Sequence, residues 1–232
     1  MPTLLSTITL TIAHSIKLSS VSIDSVYEQL RDAIAEGRMH PNERLVEAAL
    51  SARFGASRAS IRTALVRLDQ EGIVEHERNR GAKVRLIGED EAVEIYETRN
   101  VLEGLAARKA AELGTDEDFR SLNALLVTIG EQLAAGDLMA ASDTNIALHS
   151  KILQIANHGT VSRLVSTLNS HLVRFYYRTI MQPDRPGHSF EEHSAIVVAI
   201  VSRYPDAAEA AMRAHLGNVT ATLRRPLPGS RD

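Results

Sequence analysis

The sequence predicts a mainly α chain in two modules: a small N-terminal unit of three helices with a two-stranded appendage, followed by an all-helical antiparallel bundle. Three observations carry this. Apolar residues recur at helical spacing along most of the chain, broken at Gly and Pro. Aromatic residues make up 4% with no Trp, so the cores must be built from Leu, Ile, Val and Ala, of which Ala and Leu are the strongest helix formers. The charge is also divided. Residues 1–87 carry 12 Lys and Arg against 10 Asp and Glu, a net of +2, whereas residues 88–232 carry 14 against 19, a net of −5. Within 53–85 the balance is 8 basic to 4 acidic. One half is thus suited to a polyanionic partner and the other is not.

Residues 1–21 read as a flexible N-terminal extension. They are apolar and rich in Ser and Thr, but lack the basic start and small-residue cleavage site of a leader. Polar residues interrupt Met1–Ile16, which falls short of the roughly 20 apolar positions that span a bilayer. No membrane association is expected. The chain has no Cys, which excludes a disulfide scaffold, a thiolate zinc site and cysteine catalysis and is consistent with the cytoplasm.

The first module is expected over 22–87. Val26, Leu30, Ala33 and Ile34 mark a helix over 22–36, stopped by Gly37 and the turn His40-Pro41-Asn42. A short helix runs about Val46–Phe54, and Gly55-Ala56-Ser57 breaks it. A third runs from about Arg58 to Glu71, with Ser57 as N-cap and Gly72 as the stop. Its apolar stripe is Ile61, Ala64, Leu65 and Leu68, and Arg58 and Arg62 lie outside that stripe. Ile73-Val74 and Val84-Arg85-Leu86 read as short strands around a turn that carries Arg78, Arg80 and Gly81. Together these elements describe a winged helix-turn-helix. Ser57, Arg58, Ser60 and Arg62 stand at the head of the third helix, where donors for base edges and phosphates are needed. The Arg78/Arg80 turn with Gly81 would grip the backbone alongside. A helical bundle with a merely solvated basic face shares part of this pattern.

From Glu89 every segment reads as helical: 89–113, 116–135, 138–157, 160–181, 189–203 and 206–224. The breaks fall at Gly114-Thr115, Gly136-Asp137, His158-Gly159, Pro183 to Gly187, and Pro205. Residues 88–225 form the second module, and the Pro/Gly-rich 226–232 read as a disordered tail. Three of the nine His stand out. His149 follows Asn145 by four, on one helix face. His193 and His215 fall on the last two helices, and bundles can point such side chains into one interior space. Three imidazoles with an amide oxygen would suit Zn²⁺, or else Ni²⁺ or Mn²⁺. Separate hydrogen-bonded histidines are the alternative.

The residues Val26-Tyr27-x-x-Leu30-Arg31-x-x-Ile34-x-x-Gly37, Pro41-x-Glu43-Arg44-Leu45-x-Glu47, Phe54-Gly55-Ala56-Ser57-Arg58-x-x-Ile61-Arg62-x-Ala64-Leu65 and Asn79-Arg80-Gly81-Ala82-x-Val84 resemble the GntR family of bacterial regulators. The resemblance implies that Arg58, Ser60, Arg62 and Arg80-Gly81 contact DNA. Asn42 stands where a Gly is usual, and Ala59-Ser60 replaces the common Thr-Pro. Glu97-x-Arg99-x-x-Leu102-Glu103, Asn145-x-x-Leu148-His149, Glu192-His193-x-x-Ile196 and Ala208 through His215-Leu216 resemble the FCD ligand-binding domain of the FadR-type branch. Metal-binding members place an Asp where this chain has Asn145, and an amide oxygen is a weaker ligand than a carboxylate. The resemblance further implies an organic acid as effector, with Arg99 and Arg174 as candidate carboxylate clamps. Arg99 could instead pair with Glu103 at i,i+4.

The function expected is a homodimeric regulator on a pseudo-palindromic operator, a repressor released by a small carboxylate. The alternative is a metal-dependent hydrolase or lyase, although the sequence shows no obvious general base or nucleophile motif.

Overall fold

The computed structural model describes residues 22–35, 37–77, 81–172, 175 and 179–225. The expected extension over 1–21, the tail over 226–232, Arg78, Arg80 and Arg174 lie outside them.

Helix α1 (Ile23–Ala35) buries Val26, Tyr27, Leu30, Ala33 and Ile34, and packs on α3 (Arg58–Gln70) through Ile61, Ala64, Leu65 and Leu68. The Tyr27 hydroxyl donates to the Glu71 carboxylate at 2.6 Å, and the Arg67 guanidinium sits 3.7 Å from the centre of its ring. These two contacts fix α1 across the end of α3. The short α2 (Glu47–Phe54) ends at Gly55, whose φ of 62° is the left-handed conformation that glycine adopts without cost. The Ser57 hydroxyl then caps α3 by accepting from the Ser60 N–H at 3.0 Å. A proline at position 60 would have no N–H to give, so Ser60 allows a bond that the usual Pro forbids. Asn42 has φ 65°, which accounts for the usual Gly there, since Asn is among the side chains that best tolerate this region.

The wing has one strand more than expected. Strands β2 (Val74–Glu77) and β3 (Gly81–Val84) pair antiparallel, and β1 (Arg44–Leu45) joins the other side of β3 to give the order β1-β3-β2. The expected strand over Val84–Leu86 is displaced toward the turn, because Val84 opposite Val74 is already the last paired residue.

Arg85 leaves the wing and donates two bonds to Glu91, at 2.7 and 3.0 Å, at the start of α4 (Glu89–Leu113). Helices α5 (Asp116–Ala134), α6 (Leu138–Ala156), α7 (Gly159–Asn169), α8 (Arg185–Val201) and α9 (Pro205–Leu223) follow. The long α4 lies chiefly against α9, and α5 against α6 and α8. Their shared core includes Tyr96, Leu122, Leu148, Ile152, Ile196, Val197 and Ile200. A helical C-terminal domain carrying a winged helix-turn-helix is therefore the observed architecture.

Three boundaries differ from expectation. The helix expected over 160–181 stops at Asn169. The Ser170 hydroxyl bonds back to the Ser166 carbonyl at 3.1 Å, and the His171 and Leu172 N–H groups donate to carbonyls three residues back, a tightening that ends the helix. The break expected from Pro183 to Gly187 is shorter, because α8 begins at Arg185 and Pro186 lies in its first turn, where no backbone N–H is required. Pro205 likewise opens α9 instead of breaking the chain ahead of it.

Candidate functional site

In the N-terminal module Ser57 and Arg58 are exposed at the head of α3, with Ser60 half-buried between them and the core. Gly81 opens β3 with φ 85°. Arg62 is exposed as well, but it is engaged: its Nε and Nη2 donate to the two oxygens of Glu47 at 2.8 and 2.7 Å, joining α3 to α2. The Arg62 bond holds the Glu47 carboxyl below its usual range. Of the two, Arg58 has no such bond to Glu47, and the Glu47 pairing with Arg62 is one that the sequence pattern does not announce.

The C-terminal domain brings together residues from three helices. His149 from α6, His193 from α8 and His215 from α9 are all buried, and a ligand nitrogen from each lies within 4.8 Å of the others. His149 Nε2 and His193 Nε2 are 3.2 Å apart. Two nitrogens each about 2.0–2.1 Å from one tetrahedral ion would be separated by about 3.3 Å, so this spacing fits a shared ion. Asn145, one turn before His149, lines the same cavity, and its Oδ1 is buried without a hydrogen-bond partner. Asp143 is exposed and off this face.

What holds these rings was only partly foreseen. His149 Nδ1 is 2.7 Å from Glu103, which also accepts from Arg99 Nε at 2.6 Å, and both Arg99 and Glu103 are almost fully buried. His215 Nδ1 is 2.7 Å from Glu192, which accepts from Arg185 at 2.9 Å and from Asn218 at 2.9 Å. Each carboxylate therefore fixes one imidazole with Nδ1–H as donor, which leaves Nε2 as the free lone pair. This is the usual support of a metal-ligating histidine. Burial alone would raise both carboxyl groups. Arg99 and His149 overcome it for Glu103, and His215 and Arg185 for Glu192, holding each at about 2. Burial pushes His193 well below its ordinary value, and the neighbouring imidazoles push the same way. It takes His215 to about 4, against the opposing pull of Glu192. Both rings are thus neutral near pH 7, the form that binds metal.

The cavity beside the triad is also walled by Tyr96, Ser142, Ser189 and Phe190. Arg99 lines it and is paired with Glu103, the i,i+4 partner that the sequence offered as the alternative. Arg174 lies outside the described residues. Arg185, buried and on the cavity wall, is the arginine that the sequence did not suggest, because its segment reads as a bend between helices.

The winged module and the histidine-bearing helical domain each match a known family. A family model described as "Bacterial regulatory proteins, gntR family" matches residues 22–84, and one described as "FCD domain" matches residues 94–218. The chain belongs to the GntR family of bacterial regulators. As a GntR regulator with an FCD domain, it is a DNA-binding transcription regulator. It is similar to the Nta operon transcriptional regulator of Aminobacter aminovorans, at 28% identity over 76% of this chain and 82% of that protein. It is also similar to the HTH-type transcriptional repressor RspR of Escherichia coli, at 26% over 86% and 88%. Among solved structures it shares the fold of E. coli McbR/YncC, with TM-score 0.74 and 20% identity over 87% of this chain and 96% of that one. Among the described residues no helix is long and apolar enough to cross a membrane.

Proposed function

We propose that this GntR regulator is a homodimeric repressor whose hold on its operator is set by a small carboxylate bound beside a divalent metal in the helical domain. The observation that carries the reading is the convergence of three buried imidazoles and an orphaned amide oxygen on one cavity, with the two outer rings braced by glutamates. His149, His193 and His215 would hold the ion, with Asn145 as the weak fourth ligand, and Zn²⁺ is the borderline ion that such a nitrogen-rich set favours. When bound, the ion supplies a positive centre for a carboxylate, and Arg99 and Arg185 border the same space. The chemistry supports sensing more than turnover, because Glu103 and Glu192 are both committed to guanidinium and imidazole partners and are held too acidic to act as bases near pH 7.

A short physical route leads from the cavity to the DNA-binding module. Ile146 and Asn169 line the cavity and also a second cleft that reaches Ala35 at the end of α1. A ligand that prefers one packing of this wall would bias the position of the module on DNA, and only such a preference can shift the equilibrium.

The test is operator binding by fluorescence anisotropy, using the DNA upstream of the chain's own coding region. Zinc-loaded protein should bind and be released by a short carboxylic acid, and Arg58→Ala should weaken binding roughly 10–100-fold, the range for losing a bidentate base contact. Binding that ignores both metal and acid would make the helical domain a dimerisation block. Turnover of the acid would favour a hydrolase or lyase.

A further inference from the structure

The winged module and the helical domain have separate cores. Buried apolar residues between Val26 and Val84 make up the first, and the second takes in residues from Ile87 to Leu223. Arg85 and Leu86 stand between them in the chain, and Leu86 is exposed. Arg85 reaches across, through its two bonds to Glu91 in the first turn of α4. Both side chains are half-buried, and such an ion pair adds little to stability. What two parallel guanidinium–carboxylate bonds do supply is direction, since they fix an angle as well as a distance.

A third group stands at the same point. Gly72 follows the tail of α3 with φ 71°, and a methyl group in place of its hydrogen would lie 3.8 Å from Arg85 Nη1 and 4.0 Å from His171 Cε1. The His171 ring feels the ion pair: burial and the Arg85 charge push it below its ordinary range, and Glu91 pulls the other way. Around it the chain is held. Ser170 is buried, and Leu172 belongs to the core of the bundle. Asn169, the last residue of α7, lines the histidine cavity. Residues 169–171 therefore connect the cavity wall to the tail of the helix whose head carries Arg58.

We infer that the Arg85–Glu91 bond is a lock that sets the angle of the winged module on the bundle, and that His171, at the end of the cavity wall, is the contact that works it. Arg85 and Glu91 are positioning residues for operator binding, acting through α3 and the wing without touching DNA. The lock itself needs no metal; the role of His171 rests on the reading that the histidine cavity governs operator binding.

The test is operator binding by fluorescence anisotropy with full-length protein. Arg85→Ala and Glu91→Ala should each weaken binding about tenfold, as for a module correctly placed about a tenth of the time. The double variant should be no weaker than either, because both lose the same bond. Wild-type affinity in the single variants overturns the lock. So does a loss at Arg85 with none at Glu91, which would make Arg85 a direct DNA contact, and so does a double variant in which the two losses multiply. For His171, operator affinity is compared with zinc and with chelator. The wild type should differ by about fivefold or more between the two, the range of allosteric couplings, and His171→Ala should bind alike in both at unchanged zinc content. A His171→Ala protein that keeps the wild-type difference overturns the role of His171. If the wild type itself shows no difference, the metal reading fails and the role of His171 with it, while the Arg85 and Glu91 variants still decide the lock.

Discussion

Stripping the protein of divalent metal is expected to lower its melting temperature by about 10 °C. An ion held at a thousand times its dissociation constant stabilises the folded state by about 4 kcal/mol. For a chain of this size each kcal/mol moves the midpoint by about 2–4 °C. The effect should be this large because the site ties α6, α8 and α9 together at their buried faces, so the ion binds the folded bundle and not the separated helices. Differential scanning calorimetry with and without a chelator checks it. The chelator should shift the wild type and leave His193→Ala where it was. A wild type indifferent to chelator would mean that the three rings hold no ion.

The second large effect is expected at Glu103. Replacing it with Leu removes the one carboxylate that both Arg99 and His149 are bonded to, and leaves a guanidinium in a site where almost no water reaches it. Breaking a buried pair by deleting one partner costs about 3–5 kcal/mol. The double variant Glu103→Leu/Arg99→Met should recover most of that loss, since apolar groups of similar size replace both charges. Denaturant unfolding of the two variants measures the difference. A Glu103→Leu protein as stable as the wild type would show that the Arg99–Glu103–His149 chain braces nothing.

The N-terminal module was legible almost residue by residue, because its signals are local. Ser57 as cap, the stripe from Ile61 to Leu68 and Gly72 as the stop all act within one or two turns, and the structure has them in those roles. Strand β1 escaped notice because two residues carry no periodicity; its existence depends on β3 arriving alongside. The Arg62–Glu47 contact spans 15 residues and two helices, and no local rule announces it. In the helical domain the histidines were legible through the Asn145/His149 spacing and the family resemblance. Their braces were less so. Glu192 sits beside His193 in the chain but serves His215, because adjacent residues on a helix face different neighbours. Arg185 was hidden by a proline that reads as a break and in fact starts a helix.

The metal-bound regulator proposed above requires the three imidazoles from α6, α8 and α9 to act as one ligand set. Native mass spectrometry with elemental analysis tests this most directly, on wild type and on His149→Ala and His215→Ala loaded with zinc and then dialysed. The prediction is a single divalent ion per chain in the wild type and its loss from both variants while they remain folded. A wild type that carries no ion, or either variant at full stoichiometry, would contradict it.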